Sequence, residues 1–365
     1  MNTLDKILTI GSWACLASAV LALALMHLAG DRWWPGTVLL YGPRWILALP
    51  FITLLPLAAW RRPEMLLPLL ACGAIVLGPY MGLVWHPSGP AAPRTQILRI
   101  LTCNIGGPDF TPGELSKLVR ELDVDVVTLQ ETPKNLALSL PAGWYESHSS
   151  SVSVCSRYPL KALPDVNGRH LPDVWPRASL HPCIVSAKGC DIYFGIVHFP
   201  TPRPGLTRML DRRTGLNPDK ADRLHELTAE RLHLSGSAKQ EVTMQKLPVI
   251  IAGDFNMNVE SAIYKEHWGD FHNAFSETGR GYGWSAFPTL RGLPLPQRID
   301  HILCGPDLAP LACFVGRDVG SDHLPVIADI RVRSGPWSDA SSPAADPTLS
   351  PALATALRAT SSSKK

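Results

Sequence analysis

Residues 247–256 read Leu247-Pro248-Val249-Ile250-Ile251-Ala252-Gly253-Asp254-Phe255-Asn256. A short apolar run held between a proline and a glycine suits a strand buried on both faces. Side chains alternate along a strand, so Asp254 and Asn256 share a side at its C-terminal end while Phe255 points the other way, into the core. Open α/β sheets place ligands at that end of their strands. By itself the stretch reads equally well as a strand followed by a polar turn. Its neighbours decide.

Working outward, Ile97 to Cys103 is a predicted strand that ends at Asn104. Thr111-Pro112-Gly113-Glu114 has the form of a capping box with proline at the first helical position. Leu115, Leu118, Val119 and Leu122 continue it at helical spacing. Val124 to Leu129 is a second strand, ending in Gln130-Glu131, and Val152 to Ser156 a third, leading into Arg157-Tyr158-Pro159. Ala178 to Ser186 and Asp191 to Val197 make a predicted hairpin around Lys188-Gly189, ending in His198. A basic, loop-like stretch (Arg203, Arg208, Arg212, Arg213) and a helix from Asp219 to about Leu234 lead to the opening strand. Arg298 to Leu303 and Val326 to Val332 are the last strands, with Ser321-Asp322-His323 before the latter.

Asn104, Glu131, His198 and Asp254 thus each stand just past the end of a predicted strand. Singly, each has an ordinary explanation: Asn104 and Glu131 as helix caps, His198 as a hydrogen-bonded core histidine. Together they suit phosphoryl hydrolysis. A hard divalent cation such as Mg2+ takes one or two carboxylates and keeps several waters, which makes Glu131 and Asp322 candidate ligands. In-line attack needs a water, a group to take its proton, and stabilisation of the charge on phosphorus. A histidine held by a carboxylate on its other ring nitrogen is a ready base, which suggests pairing His323 with Asp300. Asn104 and Asn256 can donate amide N–H bonds to phosphate oxygens. Zinc is disfavoured, because neither the paired Cys/His spacing of structural sites nor HExxH occurs.

Asn104, Leu129-Gln130-Glu131, Ser156-Arg157-Tyr158-Pro159, His198, Gly253-Asp254-Phe255-Asn256, Arg298-Ile299-Asp300-His301 and Ser321-Asp322-His323 resemble, in order, the motif set of the endonuclease/exonuclease/phosphatase superfamily. That group includes DNase I-like nucleases, apurinic endonucleases, neutral sphingomyelinases and inositol polyphosphate 5-phosphatases. The resemblance spans about 97–333. It implies an α/β (α+β) fold, a four-layer sandwich of two mixed β-sheets flanked by helices, with a Mg2+- or Mn2+-dependent site at one end. It also implies roles. Glu131 binds the metal, with Asp322 beside it and Asn104 holding metal or phosphate. His198 stabilises the phosphoryl transition state. Asp254 positions or deprotonates the water or assists the leaving group, with Asn256 on the phosphate. Asp300 orients His323 as general base. Which of Asp254 and His323 takes the proton stays open.

The first ninety residues are of another kind. The 365-residue chain is 46% apolar and 18% charged, and the charges are sparse before residue 90. Ile7 to Leu28 is 22 uncharged residues. As a helix at ~1.5 Å per residue it is long enough to span a bilayer. Met65 to Trp85 is 21 more. Between them Ile46 to Trp60 has only 15, and reaching back to Val38 takes in Pro43 and an Arg44 that would snorkel to the headgroups. Trp33, Trp34, Trp45, Trp60 and Trp85 sit near segment edges, as interfacial aromatics do. Two further apolar segments argue against a cleaved signal peptide.

The expected layout is a membrane anchor of about three transmembrane helices over 1–90 and a linker at 91–96, in a Pro-rich stretch that starts near 86. A catalytic domain follows over 97–333, and a disordered tail over 334–365. With three spans Lys6 and Arg61-Arg62 share a side, which the positive-inside rule makes the cytoplasm. The domain then faces the periplasm or exterior from the inner (cytoplasmic) membrane, although Arg32, Arg44, Arg94 and Arg99 count against it. Cys183 with Cys190, and Cys304 with Cys313, flank short connections and are candidates for bridging, against buried free thiols.

A net charge of +3 with no basic run is too small to argue for polyanion binding. An anchor before such a domain is similar to a bacterial subgroup that includes a glycopeptide-resistance protein with an outward-facing domain. That implies a phosphodiesterase or phosphatase whose substrate lies near the bilayer, such as a lipid headgroup or prenyl pyrophosphate. Arg203 to Arg213, next to His198, fits such a substrate. One alternative is a nuclease acting on DNA, with Trp284 and Phe287 packing beside the site. No interleaved aromatic and basic platform for single strands supports it. A catalytically inactive, membrane-tethered binding protein is the other. No protein partner is expected.

Overall fold

The opening strand lies inside a sheet. The computed structural model describes residues 2–87, 92–133, 136–149, 151–167, 178–211, 215–290 and 292–332. In it β8 (Val249–Asp254) is parallel to β7 (Cys190–His198) on one side and antiparallel to β10 (Asp300–Cys304) on the other. Beyond β7 come β6 (Ala178–Ala187) and β5 (Leu160–Ala162), and β9 (His272–Asn273) closes the edge beside β10. The other sheet has the order β11 (Ala309–Val315), β12 (Val326–Arg331), β1 (Ile97–Asn104), β2 (Val126–Gln130), β4 (Val152–Ser156), β3 (Tyr145–Ser149). Its one parallel pair is β1 with β2. Each sheet is therefore mixed.

Period-two alternation sets the layers. Ile250 and Ala252 of β8 and Ile302 of β10 meet Leu98, Ile100 and Val126 of the other sheet in one buried cluster between the sheets. Ile251 and Leu303 point outward, under α7 (Asp222–Thr243) and α8 (Ala262–Trp268), through Leu234, Ala238, Val242 and Trp268. On the far side Leu101, Cys103, Val127 and Leu129 meet α5 (Pro112–Glu121) through Leu115, Leu118 and Val119. The result is helix, sheet, sheet, helix, the four-layer sandwich of two mixed sheets. Each aliphatic side chain fully buried this way contributes roughly 1.5–3 kcal/mol.

Several local readings change. The helix expected to stop near Leu234 runs to Thr243, because Ala238 and Val242 prolong the buried stripe past Ser235-Gly236-Ser237. Thr111 precedes α5 but does not cap it: its hydroxyl donates to Asp109 O at 3.2 Å, so the capping box is not formed. The basic loop begins as a helix, α6 (Arg203–Met209), which buries Leu206 and Met209; Arg212 and Arg213 lie outside the described residues, as does the expected tail. All eight cysteines are free thiols. Cys183 stands opposite Phe194 and Cys190 opposite Ala187, which separates them along the hairpin by about 13 Å at ~3.3 Å per residue, too far to bridge.

The N-terminal region adds a bend to the expected apolar segments. α1 (Thr3–Leu28) and the segment Pro63–Tyr80, which contains α4 (Leu66–Ile75), are long and apolar enough to cross a membrane. Between them α2 (Trp34–Tyr41) and the stretch Arg44–Arg61, which contains α3 (Phe51–Arg61), meet at an 80° bend. Proline lacks an N–H and disfavours helix at the residue before it, so Gly42 is extended and the helix stops at Gly42-Pro43. Past the bend the chain returns along α1, for Arg61 Nε lies 3.6 Å from Asp5 Oδ1. Lys6 and Arg61 thus share one end of the helices. At the other end Arg44 does not snorkel; it pairs with Glu260 at 3.2 Å and donates to Leu40 O and Tyr80 O.

The end of this region is also held. Val84–Trp85 pairs with Arg280–Gly281, and His86 Nε2 donates to Ser276 O at 2.8 Å, so the chain is tied to the domain up to that point.

One buried group gives a pH test of stability. His301 lies between Phe255 and Tyr264, its Nε2–H donating to Met257 O at 2.8 Å and its Nδ1 accepting from Asn273 at 3.2 Å. Burial pushes its pKa down to about 4. A base whose pKa is lowered on folding contributes stability in full above the unfolded value near 6.5, and the contribution is lost as pH falls towards about 4, where it amounts to roughly 3 kcal/mol. Melting of the wild type should fall more steeply between pH 7 and 4.5 than that of His301→Gln. Parallel curves would contradict this.

Candidate active site

Strand register assembles one row of the site. Asp254, the last residue of β8, stands opposite His198, the last of β7, and opposite Asp300, the first of β10. Asp300 opens its strand rather than closing it because β10 is antiparallel, which brings it to the same end. Gly253 makes this possible: at φ +145°, a Cβ would sit 2.1 Å from Val197 O. From the other sheet come Asn104, which ends β1, and Glu131, the residue after β2. Glu131 and Asn256 both take left-handed backbone, at φ 57° and 49°. Such strain in non-glycine residues gathers at functional sites.

The polar groups then close on one carboxylate. Asn104 Nδ2 donates to Asp254 Oδ2 at 3.1 Å and to Glu131 Oε1 at 3.2 Å, joining the two sheets. Asn256 donates its backbone N–H to Asp254 Oδ1 at 2.9 Å and its side-chain amide to Oδ2 at 3.0 Å. The second amide proton of Asn256 goes to Phe199 O at 2.9 Å. Both donors expected on phosphate are thus engaged with protein acceptors, so the phosphate-binding expectation for Asn256 finds its amide already committed. His198 Nε2 lies 3.7 Å from Asp254 Oδ2 and 3.6 Å from Glu131 Oε1.

His323 faces the same carboxylate. Its Nδ1 bonds Asp300 Oδ2 at 2.8 Å, and its Nε2 is 4.0 Å from Asp254 Oδ2. Asp300 also accepts from Ser285 Oγ at 2.6 Å, and Leu324 N donates to Ser285 O at 2.6 Å, which braces the loop carrying His323. Ser285 escaped the sequence reading; it lies in an irregular stretch with no periodic or motif signal. Burial, and then the charge of Asp300, raise the pKa of Asp254. Burial alone would lower that of His323, but the charge and hydrogen bond of Asp300, aided by Asp254, outweigh it and raise it. The pair Asp254 and His323 is thereby biased to keep a proton.

Among the described residues the one tight group of at least three ligand-type side chains is Asp254, Asp300 and His323. The hydrogen bond between His323 Nδ1 and Asp300 makes that cluster a proton-handling dyad beside a carboxylate. The better fit for a cation is at Glu131, whose side chain is 47% exposed to the pocket while Asn104 and Asp254 beside it are buried. Asp322 lines the same pocket. The backbone leaves room for Glu131, since a Cβ on Gly106 would fall 2.5 Å from its Oε2. The exposed Glu131 carboxylate, with Asp322 on the same pocket, suits a hard divalent ion, while the Asn104 amide oxygen accepts from Gly106 N at 2.9 Å.

The cavity over these groups has a volume of about 190 Å³ and also takes in Arg203 of α6 and Val38, Tyr41, Gly42 and Pro43 of the N-terminal region. Trp284 and Phe287 do not line it: Trp284 stacks on Tyr282 at 4.6 Å, and both Trp284 and Phe287 border a separate surface hollow. Tyr41, unsuspected from sequence, donates its hydroxyl to Asn256 O at 3.2 Å.

A model of the Endonuclease/Exonuclease/phosphatase family matches residues 101–323, more than half of the chain. No curated protein sequence matches it. Among solved structures it is similar to an endonuclease/exonuclease/phosphatase from Beutenbergia cavernae DSM 12333, at 19% identity and a TM-score of 0.45, covering 65% of this chain and 72% of that one. It is similar too to D. rerio TDP2 complexed with a single-strand DNA product, at 17% identity and a TM-score of 0.47, covering 65% and 99%. An AP endonuclease from Archaeoglobus fulgidus matches at 16% identity and a TM-score of 0.43, covering 63% and 98%.

Proposed function

The chain belongs to the Endonuclease/Exonuclease/phosphatase family, whose members hydrolyse phosphoesters, and from that premise we propose that it is a membrane-anchored, divalent-metal-dependent hydrolase of a phosphate ester. The observation that carries this reading is the convergence on Asp254: three protein N–H donors hold its carboxylate, and His323, backed by Asp300, stands 4.0 Å away.

Glu131, Asp322 and Asn104 would hold Mg2+ or Mn2+, which when bound supplies positive charge against the phosphate and its developing charge. The other roles fall to the chain. Water attacks phosphorus in line with the leaving oxygen; its proton passes to the pair formed by Asp254 and His323, and the leaving oxygen departs opposite as its bond to phosphorus breaks, taking up a proton from solvent. His198, between Glu131 and Asp254, donates to a phosphoryl oxygen. Asn104 and Asn256 keep Asp254 in place.

Anchoring in the membrane has its own support. Ile7, Ile10, Leu21, Ile52, Trp60, Leu67 and Leu70 are exposed large apolar side chains on the N-terminal helices. They lie on or beside segments long and apolar enough to cross a membrane. With the end that carries Lys6 and Arg61-Arg62 in the cytoplasm, the catalytic domain lies on the periplasmic or exterior side. The substrate is then a phosphate or pyrophosphate ester linked to lipid.

The full chain, purified in detergent or nanodiscs, should release phosphate or a phosphomonoester from such substrates only with Mg2+ or Mn2+. Glu131→Gln should raise the half-saturating Mg2+ concentration at least about tenfold. An unchanged Mg2+ curve would remove Glu131 from the metal site, and preferential cleavage of DNA over lipid phosphates would move the substrate reading to nucleic acid.

A further inference from the structure

Part of the catalytic pocket is not made by the catalytic domain. The cavity lined by Glu131, His198, Asp254 and His323 is lined also by Val38, Gly42 and Pro43, from the bend between α2 and α3, and by Leu206 and Leu295. The bend is built in. Leu40 O accepts from Asn258 Nδ2 at 3.2 Å, and Tyr41 O accepts from Gln297 Nε2 at 3.1 Å. The Tyr41 hydroxyl donates to Asn256 O, two residues from the central carboxylate. Leu40 and Tyr41 share a buried cluster with Leu206, Met209 and Leu224 of the domain. The segment is packed as core and not held as a tether.

We propose that the bend Val38–Pro43 is the substrate-selecting wall of the active site, which takes the hydrocarbon group of an amphiphilic phosphate ester while the phosphate meets Glu131, His198 and His323. This rests on the hydrolase reading above for the phosphate end only. Three features favour a hydrocarbon occupant. The bend presents Val38, Gly42, Pro43 and Tyr41 to the cavity, with no ionisable group between Val38 and Pro43 except the buried Tyr41 phenol, which already donates to Asn256 O. A polar ester group set against Val38 and Pro43 would lose water, and neither side chain can hydrogen-bond it. The same bend connects directly to the two apolar helical arms, α1 by way of α2 and the returning Arg44–Arg61 stretch, so the apolar side of the pocket is continuous in sequence with the surface proposed to face lipid. Each methylene buried there strengthens binding roughly fourfold.

The test uses the full chain in nanodiscs and two non-hydrolysable probes, ethylphosphonate and hexylphosphonate, titrated calorimetrically with Mg2+ present. Hydrolysis of the matching alkyl phosphates is followed in parallel. The wild type should bind the hexyl probe at least about tenfold more tightly than the ethyl probe. Val38→Asp should reduce that ratio to within about twofold of unity, and the milder Val38→Thr, which keeps the side-chain shape, should reduce it about threefold. Equal affinity of the wild type for both probes would overturn the proposal, as would a ratio untouched by both folded variants. Length-dependent binding without any hydrolysis would sink the hydrolase reading and leave the pocket wall standing; hydrolysis without length dependence would do the reverse.

Discussion

Replacing His323 with glutamine is expected to lower the turnover of phosphate-ester hydrolysis by about 10²–10⁴-fold, the range that positioned acid–base groups contribute. The size follows from placement. His323 Nδ1 is fixed by Asp300 at 2.8 Å, Asp300 is itself held by Ser285, and Nε2 is left facing Asp254 at 4.0 Å. Glutamine can still donate its amide to Asp300, so the buried carboxylate keeps a partner and the fold should survive. It cannot take or give a proton. The change should therefore appear in kcat with little movement of the melting temperature, measured on the solubilised full chain. Turnover within threefold of wild type, in a folded variant, would take His323 out of the chemistry.

The second large effect is on stability rather than on turnover. Arg231 of α7 has a side chain 0% exposed, and it pairs at 3.1 Å with Asp31, which is 1% exposed. Asp31 also accepts from Ser261, and the Arg231 guanidinium lies 5.6 Å over the ring of Tyr41. Removing one partner of a buried pair strands the other charge, at a cost of about 3–5 kcal/mol. Asp31→Ala should therefore destabilise the protein by that amount, read as a shift in the denaturation midpoint. Because the cost is mainly the orphaned guanidinium, a well-packed apolar replacement of both, Asp31→Leu with Arg231→Met, should recover much of it. A loss below ~1 kcal/mol for Asp31→Ala would mean that the N-terminal segment is not held as described.

This pair also bears on what can be cut. A fragment that begins after the N-terminal helices would leave Arg231 without Asp31 and uncover Leu206, Met209 and Leu224. The unit that can be assayed is the whole chain.

What sequence could reveal tracks the range of the interactions involved. β8 was legible because four apolar residues between Pro248 and Gly253 leave few other options, and β1, β2 and the hairpin of β6 and β7 because hydrophobic runs and the Lys188-Gly189 turn are local signals. Site residues at strand ends followed from them. Asp300 belongs to the row only because β10 is antiparallel to β8, a fact of pairing rather than of local pattern. Ser285 supports Asp300 across 15 residues of irregular chain, and Asp31 meets Arg231 across 200. Nothing within a window of either residue encodes such contacts. The bend within the middle apolar segment was not legible for a related reason. Hydropathy records that residues 38–60 are apolar, but Pro43 decides that they bend, and the partners of Leu40, Tyr41 and Arg44 decide what the bend touches.

The most direct test of the hydrolase reading is phosphate release by the full-length protein from a panel of lipid phosphates, pyrophosphates, nucleotides and DNA, after stripping with EDTA and again after adding Mg2+. The expected result is no release from the stripped protein and restored release on at least one ester with Mg2+, lost again in His323→Gln. Release that persists without metal, or none from any substrate with metal restored, would contradict it.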